Sequence, residues 1–221
     1  ASPSAFLPQR HIANDKLGRA RFVDALIVGI RRSWEDPATH GAIFGVSGTI
    51  GTGKTSVLNF LVERIIGESA SSPPIIIRID PWPIRGAAIQ KHLLFEIQAG
   101  LAEHYNYSGI NSLVADYANI IETGWPRLSM PSVIREALGV GPTSLENEVA
   151  EIADVLKRIN SNTLIIIDDL DRLLPLELYS LIRQVDHLRG LPQITFLLSY
   201  DPETTPINFA KASRFMDAKL T

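Results

Sequence analysis

The run Gly48-Thr-Ile-Gly-Thr-Gly53-Lys54-Thr55 fits the pattern G-x-x-x-x-G-K-[ST] at each position. Residues of these types at this spacing can cradle a chain of phosphates. The glycines let the backbone N–H groups of Gly48, Thr49, Ile50, Gly51, Thr52 and Gly53 converge on phosphate oxygens without a Cβ in the way. A helix opening directly behind them adds the positive end of its dipole. Lys54 would then reach the β and γ phosphates, and the Thr55 hydroxyl would ligate Mg²⁺.

Such a loop needs an acidic partner at the end of a neighbouring parallel strand. Leu164-Ile-Ile-Ile-Asp168-Asp169 supplies four aliphatic residues followed by two carboxylates, as expected at the carboxyl edge of a sheet where ligands of open α/β folds bind. Asp168 is the candidate for Mg²⁺ and Asp169 for polarising an attacking water. The alternative for Asp169 is a cap in the turn Asp168–Asp171. A later strand ends Ser199-Tyr-Asp201-Pro-Glu203, and no Asn-Lys-x-Asp segment for reading guanine occurs in the chain, so ATP is the expected nucleotide. Asp201 or Ser199 could sense the γ-phosphate from that strand end. Asp201 could instead terminate the strand before Pro202.

These residues require strands alternating with helices. A cap at Asn14 or Asp15 would start a helix with Phe22, Val23, Leu26 and Ile30 on one face, running to about Trp34. Ala42–Val46 reads as a strand entering the loop, and a helix from Thr55 carries Val57, Leu58, Leu61, Val62 and Ile65. Pro74–Asp80 is a second strand, stopped by Pro81 and Pro83. Residues 84–160 read as mostly helical, with breaks around Gly109, at Gly124–Pro126 and at Gly139–Pro142. Their last helix is announced by the capping box Thr143-Ser-Leu-Glu146 and a stripe of Leu145, Val149, Ile152, Leu156 and Ile159. Strand Thr163–Asp168, a helix at Leu176–Leu188 and strand Gln193–Ser199 follow. Apolar strands alternating with helices predict an α/β fold of three layers around a mostly parallel sheet.

Composition narrows the field further. The 21 basic and 24 acidic residues leave a formal net charge of −3, which argues against a broad nucleic-acid-coating surface. With no cysteine, disulfides, Cys-based metal centres and a thiol nucleophile are excluded. His11, His40, His92, His104 and His187 have no ligand-like pair spacing. No apolar run is long enough to cross a bilayer, and Ala1–Pro8 lacks a basic region followed by an apolar one. The expected location is cytosolic.

Together the motifs resemble the KAP family of P-loop NTPases, a branch of the STAND-type ATPases. The most specific match is Asp168-Asp-Leu-Asp171-Arg172 after the aliphatic strand. Also similar are the Walker A loop with its continuation Ser56-Val-Leu-Asn-Phe60, the segment Phe196-Leu-Leu-Ser-Tyr-Asp201, and the leader Asp15-Lys-Leu17-Gly18-Arg19. Asp80-Pro-Trp82 resembles the family's Asn-x-Trp segment, with Asp in place of Asn. The matches run from about residue 12 to residue 201. The resemblance implies a P-loop NTPase fold with ATP and Mg²⁺ as ligands, Leu17, Gly18 and Arg19 near the adenine, and Ser56 beside the phosphates. It also implies hydrolysis used as a switch or to power a partner, linked to membranes in animals and to phage exclusion or anti-phage defence in bacteria. Arg172 could act as an arginine finger across an oligomer interface, or it and Asp171 could be an ion pair or packing group at the next helix. Trp82 reads as a packing anchor.

The expected organisation is a single KAP-like domain over 1–221. It divides into leader helix, P-loop and first strands (12–83), a helical insertion (84–160), and Walker B and sensor strands (161–221). Some members of the family carry transmembrane helices in the insertion, but residues 84–160 are too polar for that. A fifth strand and a later sensor arginine are expected to lie beyond Thr221, in a longer protein. The expected function is Mg²⁺-dependent ATP hydrolysis as the motor or switch of a defence or signalling system, with other protein components or further copies of the chain as partners. A nucleotide-gated scaffold with negligible hydrolysis is the alternative. A small-molecule kinase is disfavoured, because 84–160 has no compact arginine cluster to form a lid.

Overall fold

The runs Ile75–Ile79, Thr163–Ile167 and Ile194–Tyr200 are dense in β-branched and aromatic side chains, which suit a pleated surface buried on both sides. In the computed structural model, which describes residues 8–36, 41–68, 73–81, 88–104 and 145–207, each forms a strand. With Ile43–Ser47 they make one four-stranded sheet of β1 (Ile43–Ser47), β2 (Ile75–Ile79), β3 (Thr163–Ile167) and β4 (Ile194–Tyr200). The strand order is β1-β4-β3-β2 and all three pairings are parallel. Ile77, Ile165, Phe196 and Ile43 stand in one row across it. The carboxyl ends of all four strands therefore share one edge.

Among the described residues, five helices cover the faces: α1 (Ala20–Glu35), α2 (Lys54–Glu68), α3 (Ala88–His104), α4 (Leu145–Ile159) and α5 (Pro175–Leu188). The pleat divides the core between them. Leu164, Ile166 and Leu197 point to the face with α1 and α2, where they join Val23, Ile27, Ile30, Val57, Leu58, Phe60, Leu61 and Ile65. The alternate residues Ile165, Ile167, Phe196 and Leu198 point to the other face, into α3, α4 and α5. This alternation fixes the register, because a slip of one residue would exchange the two sets.

Some local expectations shift. Helix α1 begins at Ala20, five residues past Asp15, after a 3-10 turn at Ile12–Asn14. Asp15 still serves its start: its carboxylate accepts the N–H groups of Leu17 (3.1 Å) and Ala20 (3.0 Å). The buried stripe of α1 is Val23-Ile27-Ile30, while Phe22 is half exposed; spacings of four and three residues put those side chains on one face and leave Phe22 beside it. The P-loop helix begins at Lys54 and β1 ends at Ser47, one residue from their expected bounds. In α4, Ile152 and Leu156 are buried and Val149 and Ile159 pack against them. The expected capping residues Thr143 and Ser144, the three breaks between 104 and 145, and Trp82 lie outside the described residues. In α5, Pro175 opens the helix and the Glu177 carboxylate accepts the N–H of Leu174 at 3.0 Å. No described helix is long and apolar enough to cross a membrane.

Candidate nucleotide site

The loop between β1 and α2 is pinned at both ends. At its start the Gly48 N–H donates to Tyr200 O (3.1 Å), tying it to the end of β4. Inside it, both the N–H and the hydroxyl of Thr52 donate to Thr49 O, at 3.3 and 2.7 Å. Gly53 has φ +80°, a region costly for any residue with a Cβ, and a Cβ there would also collide with the Arg19 guanidinium. A Cβ on Gly48 would lie 2.6 Å from the Thr52 hydroxyl. Neither motif glycine has room for a Cβ, and a glycine-rich loop leading into a helix N-terminus suits a phosphate chain.

Lys54 is nearly buried and its ammonium donates to Gly48 O at 2.8 Å and to Thr49 O at 3.4 Å. Asp171 Oδ1 stands 3.8 Å from the same nitrogen. Thr55 donates its hydroxyl to Asp168 Oδ2 at 2.9 Å, so the two expected Mg²⁺ ligands, 113 residues apart, converge. Asp168 Oδ1 accepts the Ser199 hydroxyl and the Asp169 N–H (2.9 Å). The Ser199 hydroxyl oxygen also accepts the Asp169 N–H at 3.2 Å. This set of hard oxygens, one carboxylate and one hydroxyl, is of the kind that would hold Mg²⁺ together with phosphate oxygens and water. The residues present therefore fit both ligands.

Asp169 adopts the left-handed conformation (φ 57°, ψ 42°) and starts the 3-10 turn Leu170–Arg172, with no capping bond from its side chain. Its carboxylate instead pairs with the Arg172 guanidinium at 2.8 Å. Burial holds the Asp169 proton above the ordinary aspartate range, reinforced by the charges of Asp168, Asp171 and Asp80 and opposed by Arg172. Of the two readings of Arg172, the ion pair is the one this geometry makes, with Asp169 rather than Asp171 as partner.

The other candidates separate. Asp201 is buried, and its Oδ1 accepts the N–H groups of Glu203 (2.8 Å) and Thr204 (3.3 Å); it caps the turn that ends β4, while Ser199 is the strand-end residue that reaches Asp168. Arg19 donates to Gly53 O (2.8 Å) and to Thr52 O, so the leader grips the loop from outside. Leu17 and Ile50 are largely exposed on either side of that grip, and Gly18 takes φ +66°. Ser56 is buried and its hydroxyl accepts the Gln9 N–H at 2.9 Å, holding the strap that crosses α2. Further along, Asn59 donates to Gln9 O and accepts from Arg78, at 2.9 and 2.8 Å, and Glu63 accepts the Ile12 N–H at 2.7 Å.

A family model described as the KAP family P-loop domain matches residues 26–215. The chain belongs to this family. A curated relative, the Phage T7 exclusion protein of Escherichia coli (strain K12), is 24% identical over 196 residues, covering 75% of this chain and 26% of that protein. The chain thus spans about a quarter of that relative's length. Among solved structures, the Aeropyrum pernix ORC2 protein in its ADP form is similar at 18% identity and TM-score 0.49, over 95% of this chain and 48% of that one. The same protein in its ADPNP-ADP complexes is similar at 17% identity and TM-score 0.47, over 90% and 45%.

Proposed function

We propose that this KAP domain binds ATP with Mg²⁺ and hydrolyses it, acting as the motor or switch of a cytoplasmic anti-phage defence or signalling system together with other protein components or further copies of itself. The observation that carries the reading is the convergence of Lys54, Thr55 and Asp168 around a glycine cradle. Lys54 would hold the β and γ phosphates, and Thr55 and Asp168 the metal, with Thr49, Ile50 and Gly51 lending amides and Thr52 bracing the loop through Thr49 O. The bound Mg²⁺ would supply charge neutralisation on the phosphate oxygens. Asp169 would accept the proton of the attacking water, for which a carboxylate proton held more tightly than usual is an advantage near neutral pH. The defence setting rests on the similarity to a phage exclusion protein, over a quarter of its length.

Equilibrium binding and turnover test the site. Lys54→Ala should abolish ATP binding, and Asp169→Asn should keep binding while slowing turnover roughly a hundredfold. Wild-type affinity in the Lys54 variant would sink the assignment. A second reading, a nucleotide-gated scaffold with negligible hydrolysis of its own, draws support from the Asp169–Arg172 pair, since a carboxylate held by a guanidinium is a poor proton acceptor. Turnover at background across protein concentrations, with ATP bound, would favour it.

A further inference from the structure

We propose that Asp171 is the counter-ion that Lys54 gives up when it takes hold of a phosphate chain, so that Asp171 sets the affinity of the site; this rests on the nucleotide-binding reading above. Both side chains are more than nine-tenths buried, at 7% and 8% relative exposure. Among the described residues, Asp171 Oδ1 has no hydrogen-bond partner. A buried carboxylate oxygen in that condition is costly unless a positive charge stands close by. The group facing it is the Lys54 ammonium at 3.8 Å, too long for a hydrogen bond and short enough for strong attraction in a water-poor corner.

The geometry also makes the pair easy to part. Lys54 carries three N–H donors, and two already point at the carbonyls of Gly48 and Thr49, so its hold on Asp171 is charge without a closed bond. Asp171 cannot follow a moving lysine. It sits in a 3-10 turn fastened by Arg172 N–H to Asp169 O (3.1 Å), by Leu173 N–H to Leu170 O (3.2 Å) and by the buried Leu170 side chain. Lys54, on a long flexible stem at the first residue of α2, is the partner that can move. A phosphate chain must therefore outbid Asp171 for one ammonium. Asp171 is in this sense a positioning residue acting through Lys54, and its removal should strengthen binding, unlike removal of a metal ligand.

The test is calorimetric titration of wild type, Asp171→Asn and Asp171→Ser with ATP, in Mg²⁺ and again in chelator. Both variants should bind about tenfold more tightly under both conditions. Wild type that binds no ATP would refute the proposed function itself. Wild type that binds, with variants of equal or weaker affinity, would overturn the counter-ion role alone. A second measurement separates release of Lys54 from simple relief of repulsion: thermal unfolding, without added nucleotide, of Lys54→Met, Asp171→Asn and the double variant. The double variant should lose much less than the sum of the single losses; additive losses would overturn the pairing. Should Asp171→Asn alone fail to fold, a folded double variant supports the pair, and an unfolded one assigns Asp171 a purely structural part.

Discussion

Asp168 and Asp171 leave the same strand three residues apart, and the fold treats them in opposite ways. Asp168 is saturated: Thr55, Ser199 and the Asp169 amide all donate to it. Asp171 is starved, with an oxygen that has no hydrogen-bond partner among the described residues and a lysine at 3.8 Å. The first arrangement fixes a carboxylate in place at little electrostatic cost, as a metal ligand requires. The second leaves a buried charge held by attraction alone, with no closed hydrogen bond to its neighbour. One strand end thus carries a rigid corner and one whose ion pair can yield on the lysine side, divided by the left-handed turn at Asp169.

The comparison breaks most sharply at Asp168. Asp168→Ala should cut Mg²⁺-dependent hydrolysis by roughly 10²–10³-fold, and because it removes the acceptor of the Thr55 and Ser199 hydroxyls it should also lower stability by about 1–3 kcal/mol. Steady-state hydrolysis and denaturant unfolding measure both, and full activity would mean the metal is held elsewhere. Ser199→Ala is milder. It leaves Thr55 and the Asp169 amide on Asp168, so turnover should fall by about tenfold, the equivalent of one charge-assisted hydrogen bond. No change would show that the rigid corner needs only Thr55.

The smallest effect concerns the turn between the corners. Burial, with Asp168, Asp171 and Asp80 adding to it, raises the Asp169 pKa, and Arg172 opposes them. Arg172→Ala should therefore move the acid limb of the pH–rate profile to higher pH. A carboxyl whose folded pKa is raised contributes stability below its unfolded pKa and loses it as pH rises through the folded value. The variant should accordingly show a steeper fall in unfolding free energy above the ordinary aspartate range. A limb that stays put or moves down would contradict the placement of Arg172.

The rigid corner was largely legible in the sequence and the yielding one was not. Gly48–Thr55 and Leu164–Asp169 are local strings whose spacing carries their chemistry, and the alternation of Leu164 and Ile166 with Ile165 and Ile167 follows from the pleat. Ser199 and Asp201 looked equivalent at the strand end. Only the pairing of β3 with β4 and the turn after β4 turn one toward Asp168 and use the other as a cap. The facing of Lys54 and Asp171 spans 117 positions and depends on a backbone angle at Asp169, for which no residue pattern gives notice. Arg172 shows the same limit: its partner is set by the 3-10 turn. Phe22 fitted an apolar stripe and stands half exposed, because it lies at the margin of the buried face set by Val23, Ile27 and Ile30.

The Arg19 fork has a consequence for the other side of the loop it grips. In a trans peptide the carbonyl and the amide hydrogen point in opposite directions. By drawing the carbonyls of Thr52 and Gly53 toward itself, Arg19 turns the amide hydrogens of Gly53 and Lys54 away from the leader and toward the cradle. The leader thereby sets the polarity of two peptide planes. Whatever tilts the start of α1 would rotate them, and so retune the loop's appetite for anions from the far side of the backbone.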